Sequence, residues 1–282
     1  GFQGLYRGLS RIDSGYNLED FRGESPAVKD LLEKARKAAN SGESVLIRGE
    51  TGTGKELFAH AVHNASPRAN GPFVAISCAA MPENLLESEL FGYEEGAFTG
   101  ARKGGKPGLF EFAHKGTLFL DEVEGMSTAL QCKLLRVLQE REIMRVGGNR
   151  IVSVDVRIVA ATNENLDKMV EEGTFRRDLY YRLNTLPVLI PPLRERPGDI
   201  PLLARTILDE LGHRLRRPFT LTDDAVECLQ AHDWPGNVRE LRNALEFSAY
   251  LTPSGVISRA ALPSDLIRRS EDAGLTLAQR TR

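Results

Sequence analysis

The chain has 282 residues, 41% of them hydrophobic and 27% charged, with 37 lysines and arginines against 39 aspartates and glutamates for a formal net charge of −2. That length fits one large and one small domain with a sizeable core, and the near-balanced charge advertises no basic nucleic-acid-binding face. No apolar run approaches the ~18 residues of a membrane helix; the longest, 186–193, is broken by Pro187, Pro191 and Pro192. The amino end shows no basic-then-apolar signal peptide. Cys78, Cys132 and Cys228 form no C-x-x-C and have no metal-spaced histidine, so they read as small buried hydrophobes in a reducing cytosol. A cytoplasmic protein is expected.

Residues 1–16 are Gly-rich and polar and read as a linker edge. Ser25-Pro26 predicts a helix start, Ser as cap and Pro at the first helical position, with Val28, Leu31, Leu32, Ala35 and Ala39 at helical spacing. Val45-Leu46-Ile47 is a short apolar strand running into a glycine-rich loop, and 56–64 continues as helix. Strand Phe73–Ile76 and helix Glu83–Leu90 follow, then a loop-like stretch over 92–108. Leu118–Leu120 is a third strand, Leu130, Leu134, Val137 and Leu138 mark a helix, Val154–Ala161 a fourth strand and Pro187–Ile190 a fifth. Strands alternating with helices predict an α/β fold with a parallel sheet and helices on both faces. After Pro191-Pro192 only helices are predicted, over 200–214, 223–230 and 238–251, which places a domain boundary there. No internal repeat or low-complexity tract is present.

Gly49-Glu50-Thr51-Gly52-Thr53-Gly54-Lys55-Glu56 matches a phosphate-binding loop, except that Glu56 stands where Ser or Thr is usual. Glycines let backbone N–H groups approach phosphate oxygens, the following helix N-terminus adds positive potential, and Lys55 brings a point charge. The hydroxyl ligand to Mg2+ is left unassigned, with Thr53 or a water as substitutes. Asp121, ending an apolar strand, suits Mg2+ or its water. Glu122 beside it suits a base that orients and deprotonates an attacking water. The bland reading of the pair is a solvated strand end, which the phosphate loop upstream disfavours. Thr162-Asn163 ends another strand and suits either a γ-phosphate contact or a helix cap.

Between the two halves of this ATP site lies Gly96-Ala97-Phe98-Thr99-Gly100-Ala101, an aromatic ring flanked by glycines in a hydrophilic loop. With Leu90-Phe91-Gly92-Tyr93 leading in, it resembles the sigma-54 contact loop of bacterial enhancer-binding activators, a branch of the AAA+ ATPases. The segment 142–150 is similar to a second pore-facing loop of that family. The resemblance extends over about residues 17–262, and Glu56 after the P-loop lysine is common in the family.

The resemblance implies an AAA+ P-loop domain over 17–190 with the contact loop inserted, a small all-helical lid over 191–262, and a linker over 263–282 toward a carboxy-terminal DNA-binding helix-turn-helix. It implies ATP and Mg2+ as cofactors, and ATP hydrolysis that remodels the closed complex of sigma-54 RNA polymerase at promoter DNA. It makes Asn163 the sensor I residue. In the family an Asn restrains the catalytic Glu; Ser77, in the stretch 72–80, occupies that position and reaches less far. Arg176 and Arg182 become arginine fingers serving a neighbouring subunit, in a hexameric or heptameric ring. By themselves they read as a solvated helix face with Arg–Asp pairs. The segment Trp234–Leu241 resembles sensor II, with Asn237 as helix cap and Arg239 turned to phosphate. A DNA-reading helix is the alternative, disfavoured because Glu240 and Glu246 offset Arg239 and Arg242. Two competing functions remain: another AAA+ remodelling ATPase without sigma-54 contact, which the hexapeptide speaks against, and a DNA-binding switch that binds ATP without hydrolysing it, which Glu122 speaks against.

Overall fold

The computed structural model describes residues 16–268; of the linkers expected at 1–16 and 263–282, residues 1–15 and 269–282 lie outside the described residues, while 264–268 are helical and Leu266 is buried in the core of the second unit. Five strands form one sheet: β1 Val45–Arg48, β2 Phe73–Ser77, β3 Thr117–Asp121, β4 Arg157–Thr162 and β5 Leu186–Leu189, in the order β2-β3-β4-β1-β5. Every pairing is parallel. All six residues of β4 and the first four of β3 are buried, as expected for strands covered on both faces. That is why these strands read as apolar runs rather than as alternations.

Helices α1 Pro26–Ser41, α2 Lys55–Asn64, α3 Glu83–Phe91, α4 Thr128–Glu140, α5 Leu166–Glu171 and α6 Arg177–Leu183 punctuate the strands. Three of these starts have a local side-chain cause. Ser25 accepts from Val28 N–H ahead of Pro26, Ser127 caps α4 through Leu130 N–H, and Asn165 caps α5 through Lys168 N–H. The carboxyl end of α1 is closed by the buried Arg157, whose guanidinium donates to Ala38 O at 2.6 Å, Ala39 O at 3.1 Å and Glu43 O at 3.1 Å. Burial lowers its pKa to about 10.

The chain divides into two compact units. One contains 16–21, 31–49 and 55–189 among the described residues, and the other 22–30, 50–54 and 190–268. In the first, a core that includes Leu118, Leu120, Ile158, Leu134 and Leu179 packs against β2–β4. In the second, α7 Ile200–Leu215, α8 Asp223–Ala231 and α9 Asn237–Leu251 enclose Trp234, Leu203, Leu229 and Leu241. Trp234 is fully buried and gives its indole N–H to Leu229 O at 2.7 Å.

Three expectations are corrected. The fourth strand starts at Arg157 rather than at Val154; Ile151–Ser153 pairs antiparallel with Glu142–Met144 as a separate hairpin. The sequence pattern misled because Val154 and Val156 are buried in the same core without belonging to the strand. Cys132 is exposed on α4, at a position the helix turns to solvent, while Cys78 and Cys228 are buried. Asn237 is no cap: its φ is +53° and its side chain is buried and bonded elsewhere.

Candidate active site

Gly49 continues from β1 and donates its N–H to Thr162 O, so the loop begins beside the end of β4. Gly52 and Gly54 take φ of +80° and +95°, the left-handed region that glycine enters without penalty. Lys55 is the first residue of α2, and its Nζ donates to Gly49 O at 2.8 Å, closing the loop on itself. Thr53 is buried, with its hydroxyl donating to Glu50 O at 2.8 Å. Glu56 is exposed.

The crest of the loop, Glu50–Gly54, groups with the helical unit. Arg194 donates to both carboxylate oxygens of Glu50, Asn237 to Glu50 and to Thr51 O, and Arg239 N–H to Gly52 O at 3.3 Å. Arg239 therefore stands beside the phosphate loop in the first turn of α9. The Arg194 hydrogen bond, followed by that of Asn237, holds the Glu50 carboxyl at about 2.

At the end of β3, Asp121 Oδ1 accepts the Glu122 N–H at 3.0 Å. Glu122 itself adopts φ +51°, ψ +50°, an arrangement that costs a non-glycine residue about 1–3 kcal/mol and clusters at functional sites. Its Oε2 accepts the Ser77 hydroxyl at 2.6 Å. The register that places Ser77 opposite Asp121 across β2 and β3 brings this bond about. The shorter side chain at position 77 thus reaches the acid.

One residue escaped the sequence reading. Glu124 is half-buried, its carboxyl raised by burial and lowered by a hydrogen bond from Thr162, with Glu122 adding a like charge. One of its oxygens has no hydrogen-bond partner. Nearby, burial first and then Asp121, Glu124 and Glu122 push the Cys78 thiol far up, so it stays a neutral filler. The signal for Glu124 was the third acid in Asp121-Glu122-Val123-Glu124, but nothing local distinguishes it from a solvated residue.

Thr162 Oγ1 accepts from Glu164 N–H at 3.0 Å, and Asn163 is exposed just beyond β4. Because Asn165 caps α5, the 162–163 pair is not needed as a cap. Arg176 forms a two-pronged pair with Asp178, at 3.0 and 2.7 Å, and its N–H donates to Gln131 Oε1. Arg182 is exposed and donates to Leu138 O at 3.1 Å. In the single chain these arginines therefore meet α4 and their own helix.

The hexapeptide loop leaves the short strand Gly92–Tyr93, which pairs with Lys106–Pro107 and bridges to Val146. Its base is pinned by Arg145, which donates to both Glu111 oxygens at 2.9 and 2.8 Å and to Glu94 at 3.4 Å. Those bonds hold the Glu111 carboxyl below its usual range and raise the Arg145 guanidinium. At the tip, Gly96 and Gly100 have φ of +79° and +94° and open space where a Cβ would stand. Phe98 is 47% exposed, its ring edge-on to Tyr93 at 4.9 Å.

Residues 21–189, more than half of the chain, match the family described as the sigma-54 interaction domain. The chain belongs to that family. Residues 194–278 match the family described as the AAA+ ATPase lid domain, so the α/β P-loop domain is followed by a small helical lid. It is 56% identical over 237 residues to the Nif-specific regulatory protein of Azotobacter vinelandii, covering 84% of this chain and 45% of that protein. It is 52% identical over 245 residues to the protein of the same name from Klebsiella pneumoniae, covering 87% and 47%. The structure of NtrX from Brucella abortus in complex with ATP superposes with a TM-score of 0.81 at 40% identity, covering 87% of this chain and 54% of that one. The chain spans less than half the length of those two curated relatives.

Proposed function

We propose that this chain hydrolyses ATP with Mg2+ and uses the energy to drive the 96–101 loop against sigma-54 RNA polymerase, opening promoter DNA. The observation that carries this reading is the exposed Phe98 on a loop with a pinned base, in a unit that also holds the Ser77–Glu122 bond. The phosphate loop suits a nucleotide: Gly52 and Gly54 turn the backbone, and Lys55 opens a ten-residue helix whose N-terminus faces the loop it ends. When bound, Mg2+-ATP supplies the phosphoryl group and the metal that neutralises its charge.

The chain's own residues have separable tasks. Lys55 exchanges Gly49 O for phosphate oxygens. Asp121 holds Mg2+ directly or through water; the inward-turned Thr53 hydroxyl favours water in place of the missing Ser or Thr ligand. Glu122 accepts the proton of the attacking water, and Ser77 restrains it until it is released. Asn163 and Arg239 read the phosphates, and Arg176 and Arg182 leave Asp178 and Leu138 O to serve a neighbouring copy in a hexameric or heptameric ring. Residues 17–190 and 191–262 form the two domains of this machine, and promoter DNA is reached through a carboxy-terminal helix-turn-helix in the cytoplasm. No helix among the described residues is long and apolar enough to cross a membrane.

The test is capture of purified sigma-54 by the chain trapped with a transition-state mimic of ATP. The parent should retain sigma-54, and Thr99→Ala should lose it while still hydrolysing ATP, since a nucleotide drives a change only through contacts that differ between states. Equal capture by both removes the loop from the mechanism and favours an AAA+ remodelling ATPase with another target.

A further inference from the structure

An acid inside a phosphate-binding loop is a physical problem, because its charge repels the ligand the loop is built to hold. At an effective dielectric constant of about 20, two unit charges 4 Å apart interact by about 4 kcal/mol. Glu50 is such an acid, and the structure shows how it is handled. Arg194 Nη1 donates to Oε2 at 2.8 Å and Nη2 to Oε1 at 2.6 Å, a planar fork on a planar carboxylate. Asn237 adds a third donor to Oε2 at 3.1 Å.

Asn237 is buried, and its amide is used at both ends. Oδ1 accepts the Leu193 N–H at 2.8 Å, and Nδ2 divides between Glu50 and Thr51 O at 3.1 Å each. It therefore fixes the backbone next to Arg194 to the loop that Arg194 neutralises. The last contact is backbone on backbone: a Cβ on Gly52 would stand 2.2 Å from Gly236 O, and Arg239 N–H donates to Gly52 O. All these contacts fall on residues 50–52, and all lie within one compact unit.

We infer that Arg194 is a positioning residue of the nucleotide site: it neutralises Glu50 and, with Asn237 as its brace, holds the crest of the phosphate loop open for an anionic ligand. This rests on the nucleotide-binding reading above and adds to it the group that makes the loop tolerant of its own acid. The Arg194 and Glu50 side chains are 42% and 40% exposed, so the pair contributes little to folding. Its effect belongs to ligand binding, where a preformed loop spares ordering cost.

The experiment is calorimetric titration of the chain with ADP. Arg194→Gln should weaken ADP binding about threefold to tenfold, the scale of an uncompensated charge at a partly exposed site, with the melting temperature almost unmoved. Arg194→Lys should recover part of the loss. The double variant Glu50→Gln with Arg194→Gln should bind more tightly than Arg194→Gln alone, because the repelling charge is gone. A merely structural pair would not show that rescue. Arg214→Ala, which breaks the exposed Arg214–Glu246 pair at 2.9 Å in the same unit, should bind ADP as the parent does. If the parent binds ADP and Arg194→Gln matches it, or the double variant binds no better than the single one, the inference is overturned and the nucleotide reading stands. A parent that binds neither ADP nor ATP overturns both.

Discussion

The acid pair and the hexapeptide loop lie in one compact unit and are held in opposite ways. Glu122 is over-determined: a strained left-handed backbone, a Ser77 hydroxyl at 2.6 Å, and its own N–H on Asp121. The hexapeptide is held at its base by Arg145 and the Tyr93–Val146 bridge, and its tip carries a half-exposed phenyl ring, edge-on to Tyr93, between two glycines with open space where a Cβ would stand. Chemistry needs groups fixed within fractions of an ångström, so strain is tolerated there. A contact that must form and release with nucleotide state needs a tip whose position costs little to change.

The largest effect should come from the fixed region. Glu122→Gln should keep nucleotide binding and lose hydrolysis by about 10²–10⁴-fold, the usual worth of a positioned base. Phosphate release measured beside nucleotide titration checks this; hydrolysis at the parent rate would move the base elsewhere, with Glu124 the first residue to examine.

Acid should act on the same frame and spare the tip. His63, on α2, is buried against Phe73 and shares a 2.9 Å hydrogen bond with Thr117 at the start of β3. Burial, aided by His60 nearby, lowers its pKa from 6.5 to about 4, and His60 is lowered for the same reason. A histidine lowered by folding is held neutral, so its contribution is complete above pH 6.5 and is lost as pH falls toward 4. The melting temperature should drop through that window, and the drop should be smaller in His63→Gln.

The smallest effect should be that of Phe98→Ala on everything except the partner. An exposed side chain with one aromatic neighbour should change stability by less than about 0.5 kcal/mol, and hydrolysis without sigma-54 should stay within about twofold, the same energy expressed as a rate. A larger fall in either would mean that the tip is part of the frame and that the contrast between the two regions is false.

Much of this was legible in the sequence. The strands over 45–48, 73–77 and 117–121 are short apolar runs next to turn chemistry; composition accounts for the burial of the first and third, while 73–77 alternates between half-buried and buried residues. The phosphate loop, the acid pair and the hexapeptide are contiguous, so each could be read as a string. Arg176 and Arg182 were legible only through family resemblance, because a pair such as Arg176–Asp178 belongs equally to an ordinary solvated helix.

What the sequence determined by itself was local: where the backbone must turn, which stretches must be covered, and which charged groups stand at strand ends. Tertiary structure decided the partners. Ser77 meets Glu122 because β2 and β3 pair in a register that places 77 opposite 121. Arg157 finds the last carbonyls of α1 because β4 lies in the middle of the sheet with its start beside that helix end. Asn237, read as a cap, turned out to join Leu193 to the phosphate loop. Periodicity reports only whether a face is covered; a hydrogen-bond partner far along the chain is set by strand order and register, which leave no mark on the residues between.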